Sequence, residues 1–364
     1  MNLGGALELA RRALVRRGPP VHLTVYVTGR CNLRCRHCFH WKEVAEERDG
    51  PSLAELQRLA ASSARHGPLL WLSFGGGEPF LRADLAEVAS AFAAPGLGHL
   101  TIPTNGLVPE RTLAFVETFC AAHPKTHLAV SVSFDGPPAI HDAIRQVKGG
   151  HARSMETVRK LKAAQARWPN LGVGVLVCVT SENQHVLADH VEELVSALAP
   201  DNVTINLARG TALDTRLLAV DPARYEEVVA RKRALVRSGK LPYFDFPLAR
   251  LATARDELMY EHVARVARGD DSTWLPCTAG SLSAVVFENG EVHPCEILGR
   301  SIGNLRDVEW DLGRLWESAE ANALRDEIKR TRCKCTWECA QADNVLFHAP
   351  GWPRLAARTF VRGS

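Results

Sequence analysis

The sequence contains no long run of apolar residues, and this absence excludes several classes of protein. No stretch of its 364 residues approaches the roughly 20 apolar positions that a helix needs to cross a bilayer, so we expect no transmembrane segment. The N-terminal stretch MNLGGALELARRALVRRGPP has no apolar core of the signal-peptide type. The sequence therefore predicts a cytoplasmic protein.

A strong excess of charge of one sign is also missing. The 44 basic and 41 acidic residues leave a net charge of +3, which is too small to predict nucleic-acid binding. Nine of the basic residues are lysines, and we attribute the preference for arginine to genome composition and not to phosphate recognition. Hydrophobic residues make up 46% of the chain, which is enough to build a sizeable core.

Cysteine, in contrast, is abundant and clustered. In a reducing compartment the ten cysteines are not expected to form disulfides, so metal or redox chemistry is the default interpretation. Cys120 and Cys178 lie in apolar surroundings and are predicted to be buried packing residues. The other eight cysteines form two groups, one near each end of the chain.

Between the two cysteine groups, apolar β-branched stretches alternate with helical patterns. This alternation is typical of parallel βαβ units with right-handed crossovers. It predicts an α/β fold, a partial (β/α)6 TIM-type barrel, followed by a small C-terminal domain held together by metal. In such barrels the functional residues lie on loops after the carboxyl ends of the strands. The predicted strands are 22–28, 69–74, 97–103, 127–134, 171–180 and 202–208, and later helices are predicted over 222–238, 247–268 and 311–330.

Three cysteines follow the first predicted strand in the stretch TGRCNLRCRHCFHW. Cys31, Cys35 and Cys38 have the spacing C-x3-C-x2-C. Three thiolates can hold a cube of four irons and leave one iron able to bind a small molecule. The alternatives are a zinc knuckle with His37 or His40 as the fourth ligand, or a purely structural cluster. The spacing directly after the first strand favours the open cluster.

The loops that follow the next three strands carry residues suited to ligand binding. Glycines in GGGEP let the backbone approach a ligand closely, and the glutamate can accept hydrogen bonds from an ammonium group. Small polar side chains follow the third strand and alternate along the fourth, and an arginine lies beyond it. A solvated surface charge is the alternative for this arginine. The candidate residues are Gly76, Gly77, Glu78, Thr104, Asn105, Ser131, Ser133, Asp135 and Arg145.

The cysteine loop resembles the signature of the radical S-adenosylmethionine (SAM) enzymes. The resemblance implies that Cys31, Cys35 and Cys38 hold a [4Fe–4S] cluster. The fourth iron would then be chelated by the amino and carboxylate groups of S-adenosyl-L-methionine. His37, directly before the third cysteine, would lie near the adenine.

The same resemblance implies roles for the following loops. The Gly-Gly-Glu motif would bind the methionyl amino group, and Thr104 and Asn105 belong to the same cofactor site. Ser131 and Ser133 would face the ribose. Arg145 would pair with the methionyl carboxylate, for which its two-pronged guanidinium is well suited.

The second group of cysteines lies in the C-terminal segment. Cys277 and Cys295 flank a predicted hairpin that turns at residues 288–290, and the helix over 311–330 follows. A zinc ribbon is the alternative, but the segment contains no paired C-x2-C. The spacing C-x12-G-x4-C, followed by IGNLRD, resembles the auxiliary-cluster domains called SPASM and, in shortened form, twitch.

This second resemblance implies at least one auxiliary [4Fe–4S] cluster. A full SPASM domain carries more cysteines and a second auxiliary cluster, so a version with one cluster is expected here. Cys277, Cys295 and Cys339 are the expected ligands, and either Cys333 or Cys335 is the fourth. If three cysteines are used, the open iron could bind substrate.

These patterns divide the chain into five predicted segments, which differ in composition and cysteine content. No role is assigned to the last one. The segments are an N-terminal amphipathic helix that caps the barrel (1–20), the radical SAM partial barrel (21–240), a helical linker (241–270), the twitch- or SPASM-like domain (271–345) and a basic tail (346–364).

The resemblance implies an oxidoreductase that reductively cleaves SAM to a 5′-deoxyadenosyl radical, which removes hydrogen from a substrate. The auxiliary cluster would assist a net oxidation or a cross-link, and the substrate is expected to be a peptide or natural product. A small-molecule dehydrogenase acting on alcohols or amino-sugars is the first alternative. A non-catalytic iron–sulfur electron carrier is the second. An enzyme of this kind needs an electron donor such as flavodoxin or ferredoxin.

Replacement of Cys35 tests the cofactor assignment. Because three thiolates hold the first cluster, Cys35→Ala is expected to lose that cluster and all SAM cleavage. The measurement is 5′-deoxyadenosine released by anaerobically reduced protein in the presence of SAM. Release by the variant would contradict the assignment, and absence of release from the unaltered protein would favour the electron carrier.

Overall fold

The computed structural model describes residues 11, 18–65, 67, 69–242, 249–270, 272 and 275–360. The amphipathic helix predicted within residues 1–20 lies almost entirely outside this part of the chain. Among the described residues, no helix is long and apolar enough to cross a membrane.

Nine strands of the described chain form one mixed sheet in the order β6-β5-β4-β3-β2-β1-β7-β8-β9. Strands β1 to β6 are parallel, as the alternation predicted, and their bounds differ from the predicted ones by at most two residues. The strands are β1 His22–Thr28, β2 Trp71–Gly76, β3 His99–Thr104, β4 His127–Ser133, β5 Leu171–Val179, β6 Asn202–Leu207, β7 Ser283–Val286, β8 Glu291–His293 and β9 Gly303–Asn304.

Helices follow each of the first six strands, and further helices belong to the C-terminal part. Short 3-10 helices add to them at Pro79–Leu81, Thr215–Leu218, Leu305–Val308 and Ala349–Gly351. The α-helices of the described residues are α1 Trp41–Ala45, α2 Leu53–Arg65, α3 Leu85–Ala93, α4 Pro109–Ala122, α5 Pro138–Arg145, α6 Gly150–Ala164, α7 Leu187–Leu198, α8 Pro222–Arg237, α9 Ala249–Ala267, α10 Leu312–Trp316, α11 Ala319–Arg330, α12 Glu338–Leu346 and α13 Trp352–Phe360.

Buried and partly exposed side chains alternate along β4, and this alternation separates the core face of the sheet from the face that carries the site. Leu128, Val130 and Val132 are fully buried in the main hydrophobic core. The residues between them, including Ala129 and Ser131, are partly exposed. Because successive side chains of a strand point to opposite faces, the helices cover one face and the other is left for ligands.

Side chains from two helices occupy the free edge of β6. The Ile205 N–H donates to the Tyr260 hydroxyl at 3.1 Å, and the Leu207 N–H donates to Glu338 Oε1 at 2.8 Å. Tyr260 lies on α9 and Glu338 begins α12. Since unpaired donors at a sheet edge are costly when buried, these two contacts stabilise the end of the partial barrel.

The C-terminal hairpin continues the same sheet. Strand β7 pairs in parallel with β1, with Val286 opposite Val25, and then turns back into β8. The turn lies at the predicted Glu288-Asn289-Gly290. Gly290 has a φ of +88°, and a Cβ there would lie 2.7 Å from Asn304 Oδ1, so the turn requires glycine.

The single helix predicted over 311–330 is wrong in one respect, because the structure has two helices there, α10 and α11. The Ser318 hydroxyl accepts a hydrogen bond from the Ala321 N–H at 3.1 Å and caps the second helix. In the predicted tail, α13 packs along α9, where Arg354 and Arg358 both pair with Glu261 at 2.8 Å.

Tyr260→Phe tests the edge of β6. Removing the hydroxyl leaves the buried Ile205 N–H without an acceptor, so we expect a loss of about 1–3 kcal/mol in the free energy of unfolding. Guanidinium chloride denaturation followed by circular dichroism measures it. Thr118→Val is the control, because it deletes an exposed hydroxyl and should change stability by less than about 0.5 kcal/mol. Equal effects of the two substitutions would contradict the role of Tyr260.

Candidate functional site

The three-cysteine loop follows β1 and is fixed by backbone hydrogen bonds. The Cys38 N–H donates to the Cys35 carbonyl at 3.1 Å, and the Arg36 N–H donates to the Ile144 carbonyl at 2.9 Å. Burial raises the pKa of the Cys31 thiol to about 11 and that of Cys35 to about 12. Thiolates at these positions therefore need a cationic partner, and iron is such a partner.

A buried ion pair lies beside the cysteine loop. Arg145 Nε donates to Asp135 Oδ2 at 2.7 Å, and Arg145 is 6% exposed. This burial excludes the alternative of a solvated surface charge. Although burial alone would raise the pKa of Asp135, the positive charge of Arg145 holds it at about 2. The positive charge of Arg145 also acts on Cys35, where it opposes the effect of burial on the thiol.

His37 faces this ion pair. Its Nε2 lies 3.9 Å from Asp135 Oδ2, while its Nδ1 is buried and has no hydrogen-bond partner. Burial lowers the pKa of His37, so the ring is neutral at pH 7. A buried ring nitrogen without a partner indicates that a ligand group belongs beside it.

Two glycines of GGGEP pack directly against the start of the cysteine loop. A Cβ at Gly76 would lie 2.1 Å from the Thr28 carbonyl oxygen, and one at Gly77 would lie 2.1 Å from the Arg30 carbonyl oxygen. The same carbonyls accept hydrogen bonds at 2.8 Å from the N–H groups of Gly77 and Glu78. Glycine is therefore required for the close approach of these two loops.

Glu78 ties the second loop to the third. Its carboxylate accepts hydrogen bonds from the Thr104 hydroxyl and the Asn105 N–H, both at 2.8 Å, and from the Phe80 N–H at 3.2 Å. Asn105 Nδ2 in turn donates to Asn32 Oδ1 in the cysteine loop at 2.7 Å. The structure thus brings Glu78, Thr104 and Asn105 together through hydrogen bonds to the Glu78 carboxylate.

The hydroxyl-bearing residues of β4 lie next to a glycine of β5. Ser131 pairs with Gly174 in the parallel register. A Cβ on Gly174 would lie 3.1 Å from the Ser131 hydroxyl oxygen, so the glycine leaves space beside this side chain. Ser133 is buried at the end of the same strand.

His40, an alternative zinc ligand for the first cysteine group, is engaged by other residues. His40 Nε2 bonds to Glu288 Oε2 at 3.1 Å, and its ring packs edge-on against Tyr26 at 4.7 Å. Over the described ranges, no three His, Cys, Asp or Glu side chains are arranged to hold a single metal ion. His40 instead connects the cysteine loop to the turn of the C-terminal hairpin.

Four cysteines of the C-terminal group lie together. The thiols of Cys277 and Cys333 are hydrogen-bonded to each other, and Cys277, Cys295 and Cys335 pack in one small apolar cluster with Trp337. Backbone N–H groups donate to three of the sulfurs, for example from Trp337 to Cys335. Hydrogen bonds to sulfur are a common feature of protein-bound iron–sulfur clusters.

Cys339 is the second residue of α12 and does not belong to this apolar cluster. Gln341 of the same helix reaches Cys335, with its Nε2 2.9 Å from the Cys335 carbonyl oxygen. The charged groups acting most strongly on the Cys339 thiol are Glu296 and Arg209.

The family comparison decides between the remaining interpretations. The chain matches the radical SAM superfamily over residues 25–194 and the SPASM iron–sulfur cluster-binding domain over residues 277–340. The chain therefore contains a radical SAM domain followed by a SPASM domain. Radical SAM domains bind a [4Fe–4S] cluster and SAM, and SPASM domains bind auxiliary iron–sulfur clusters, as the two resemblances implied.

Relatives of this radical SAM chain include peptide-modifying proteins. The sporulation killing factor maturation protein SkfB of Bacillus subtilis (strain 168) is 25% identical over 87% of this chain and 69% of that protein. The PqqA peptide cyclase of Rhodopseudomonas palustris is 31% identical over 52% of this chain and 47% of that protein. The AdoMet-dependent heme synthase of Oleidesulfovibrio alaskensis is 26% identical over 87% of this chain and 79% of that protein. The chain thus spans about half to four fifths of these relatives.

A solved structure shows the same fold. Streptococcus suis SuiB bound to S-adenosylmethionine superposes with a TM-score of 0.62, covering 89% of this chain and 72% of SuiB at 16% identity. The predicted partial barrel with a C-terminal iron–sulfur domain is confirmed.

The residues of the radical SAM domain fit the cofactors of that family. The glycine contacts leave no room for side chains at 76 and 77, and the unpartnered His37 nitrogen lies within the cysteine loop. The sequence analysis missed Arg209 and Glu338, although Arg209 directly follows a predicted strand end, where functional residues of this fold lie.

Gly77→Ala tests the contact between the first two loops. Overpacking costs about 1–3 kcal/mol, so we expect SAM affinity to fall by about tenfold or more. Calorimetric titration of anaerobically reconstituted protein measures it. Gly98→Ala is the matched control, since its Cβ would meet nothing nearer than 3.7 Å. Unchanged affinity in Gly77→Ala would show that the close approach is not needed for binding.

Proposed function

We propose that this chain is a radical SAM oxidoreductase that removes hydrogen from a peptide or natural product, with an auxiliary cluster assisting a net oxidation or cross-link. The observation that carries the proposal is the pair of separate cysteine groups, both of which lie near Tyr26. Tyr26 packs in the apolar cluster that contains Cys295, its ring contacts that of His40 beside the first group, and its hydroxyl bonds to Glu296.

Residues of the first four loops would hold the family's cofactors. When bound, the reduced cluster and SAM supply a radical able to remove hydrogen from an unactivated C–H bond. The protein orients the reacting groups and excludes water. Cys31, Cys35 and Cys38 would hold the cluster, and His37, Gly76, Gly77, Glu78, Thr104, Asn105, Ser131, Ser133 and Arg145 would surround SAM.

Arg145 is suited to bind the methionyl carboxylate. Its hydrogen bond to Asp135 uses Nε, which leaves the two Nη groups to form a bidentate contact. The buried Asp135 fixes the guanidinium in one orientation, so little side-chain entropy is lost when a carboxylate binds.

Cys277, Cys295, Cys333 and Cys335 are the auxiliary ligands that the contacts support. Cys339 would then lie outside the ligand set, which differs from what the SPASM resemblance implied. Four thiolates leave no iron open, so this cluster would serve electron transfer and not bind the substrate. An external donor such as flavodoxin or ferredoxin would reduce the first cluster.

A peptide substrate is supported by the relatives SkfB and PqqA peptide cyclase, whose names describe maturation and cyclisation of peptides. A small molecule is the second candidate, because the heme synthase relative matches 87% of the chain. Both candidates use the same cofactor site and differ in the molecule from which hydrogen is removed.

Cys295→Ala tests the proposal in a single assay with SAM, a chemical reductant and short peptides encoded beside the gene. The unaltered protein is expected to release 5′-deoxyadenosine and a peptide lighter by two hydrogen atoms, detected by mass spectrometry. Cys295→Ala should still cleave SAM but lose the auxiliary iron, about four atoms per chain, and yield no product.

Cys339→Ser is the matched control and should keep the full iron content. Loss of iron in this variant would place Cys339 among the ligands. Oxidation of a small alcohol or tetrapyrrole in place of every peptide would favour the second candidate.

A further inference from the structure

Arg209 lies between the two cysteine groups. It follows β6, and its guanidinium carbon is 6.0 Å from the ring centre of Phe39 and 6.0 Å from that of Trp337. Phe39 directly follows Cys38, and Trp337 lies two positions after Cys335. The guanidinium is therefore held between an aromatic ring beside each group.

A buried carboxylate fixes the position of Arg209. Arg209 Nη1 lies 2.9 Å from Glu338 Oε2, with side chains 11% and 2% exposed. Glu296 is farther away, at 4.0 Å. The other oxygen of Glu338 accepts hydrogen bonds from Leu207 and from Tyr225. The charges of this pair are thus fixed in place and poorly screened by solvent.

Trp337 connects Arg209 to the C-terminal cysteines. Its ring centre lies 6.0 Å from the Arg209 guanidinium carbon, and it packs in the same apolar cluster as Cys295 and Cys335. At the first group, the buried Arg145–Asp135 pair lies beside the cysteine loop. Each cysteine group therefore has its own buried arginine–carboxylate pair.

We propose that the Arg209–Glu338 pair sets the reduction potential of the auxiliary cluster, with Arg209 raising it and Glu338 lowering it. The inference rests on the ligand set of the proposed function. Reduction adds one electron and hence one negative charge, which a nearby guanidinium stabilises and a nearby carboxylate destabilises. Charge and burial around a cluster are among the factors that set its potential.

Potentiometric titration followed by electron paramagnetic resonance tests the inference, with dithionite as reductant and the reconstituted full chain. Arg209→Gln is expected to lower the auxiliary potential enough to change the oxidised-to-reduced ratio at least tenfold, about 59 mV for one electron. Glu338→Gln should raise the auxiliary potential, because it removes a negative charge. Glutamine keeps an acceptor for the Leu207 N–H, so the edge of β6 should stay intact. The double variant should lie between the two.

Two controls separate charge from structure. Lys334→Gln removes a charge between two proposed ligands, but this residue is exposed, so water should screen the change and the shift should be small. Arg209→Lys keeps the positive charge, so its auxiliary potential should stay close to that of the unaltered protein. The potential of the first cluster serves as an internal reference.

The outcomes distinguish the two proposals. Full auxiliary iron with an unchanged potential in Arg209→Gln, or shifts of the same sign in Arg209→Gln and Glu338→Gln, would overturn the inference and leave the ligand set standing. Arg209→Gln should keep the auxiliary iron, because Arg209 is not a proposed ligand, and loss of that iron would contradict the inference. Retention of the auxiliary iron in Cys295→Ala would overturn the ligand set itself.

Discussion

The parallel pairing of β1 with β2 is the constraint on which the first site depends. The register shifts after Tyr26, so Thr28 lies opposite Gly76 where the two strands end. From this point the chain of β2 runs beneath the first residues of the cysteine loop, at a distance that excludes any side chain. Glu78 then reaches the next loop, so the pairing of two strands positions the loops after three of them. The cysteine loop is therefore positioned by contacts that the protein makes without a metal.

A buried arginine paired with a carboxylate lies beside each of the two cysteine groups. Asp135 compensates Arg145 beside the first cysteine group, and Glu338 compensates Arg209 beside the second. A buried arginine without a partner would be costly, so each pair brings positive charge near the thiolates without leaving it unbalanced. Glu338 also binds the edge of β6, and this single carboxylate therefore links the barrel, the space between the cysteine groups and the start of α12.

The regular parts of the fold could be predicted because their signals are local. Each strand of the barrel is a β-branched stretch followed by a helix pattern, and the GGGEP and three-cysteine motifs lie directly at strand ends. The break between α10 and α11 was missed because it depends on one serine capping a helix. The Arg209–Glu338 pair joins residues 129 positions apart, and no local pattern indicates such a contact.

The side chains along β6 limit how a long substrate can enter. A peptide could extend a sheet by forming backbone hydrogen bonds with an unpaired edge. The Ile205 and Leu207 N–H groups already donate to Tyr260 and Glu338, so this edge offers an incoming chain no donors at these positions. A polypeptide at this edge could not add a strand through these two positions, so its recognition there would depend on its side chains.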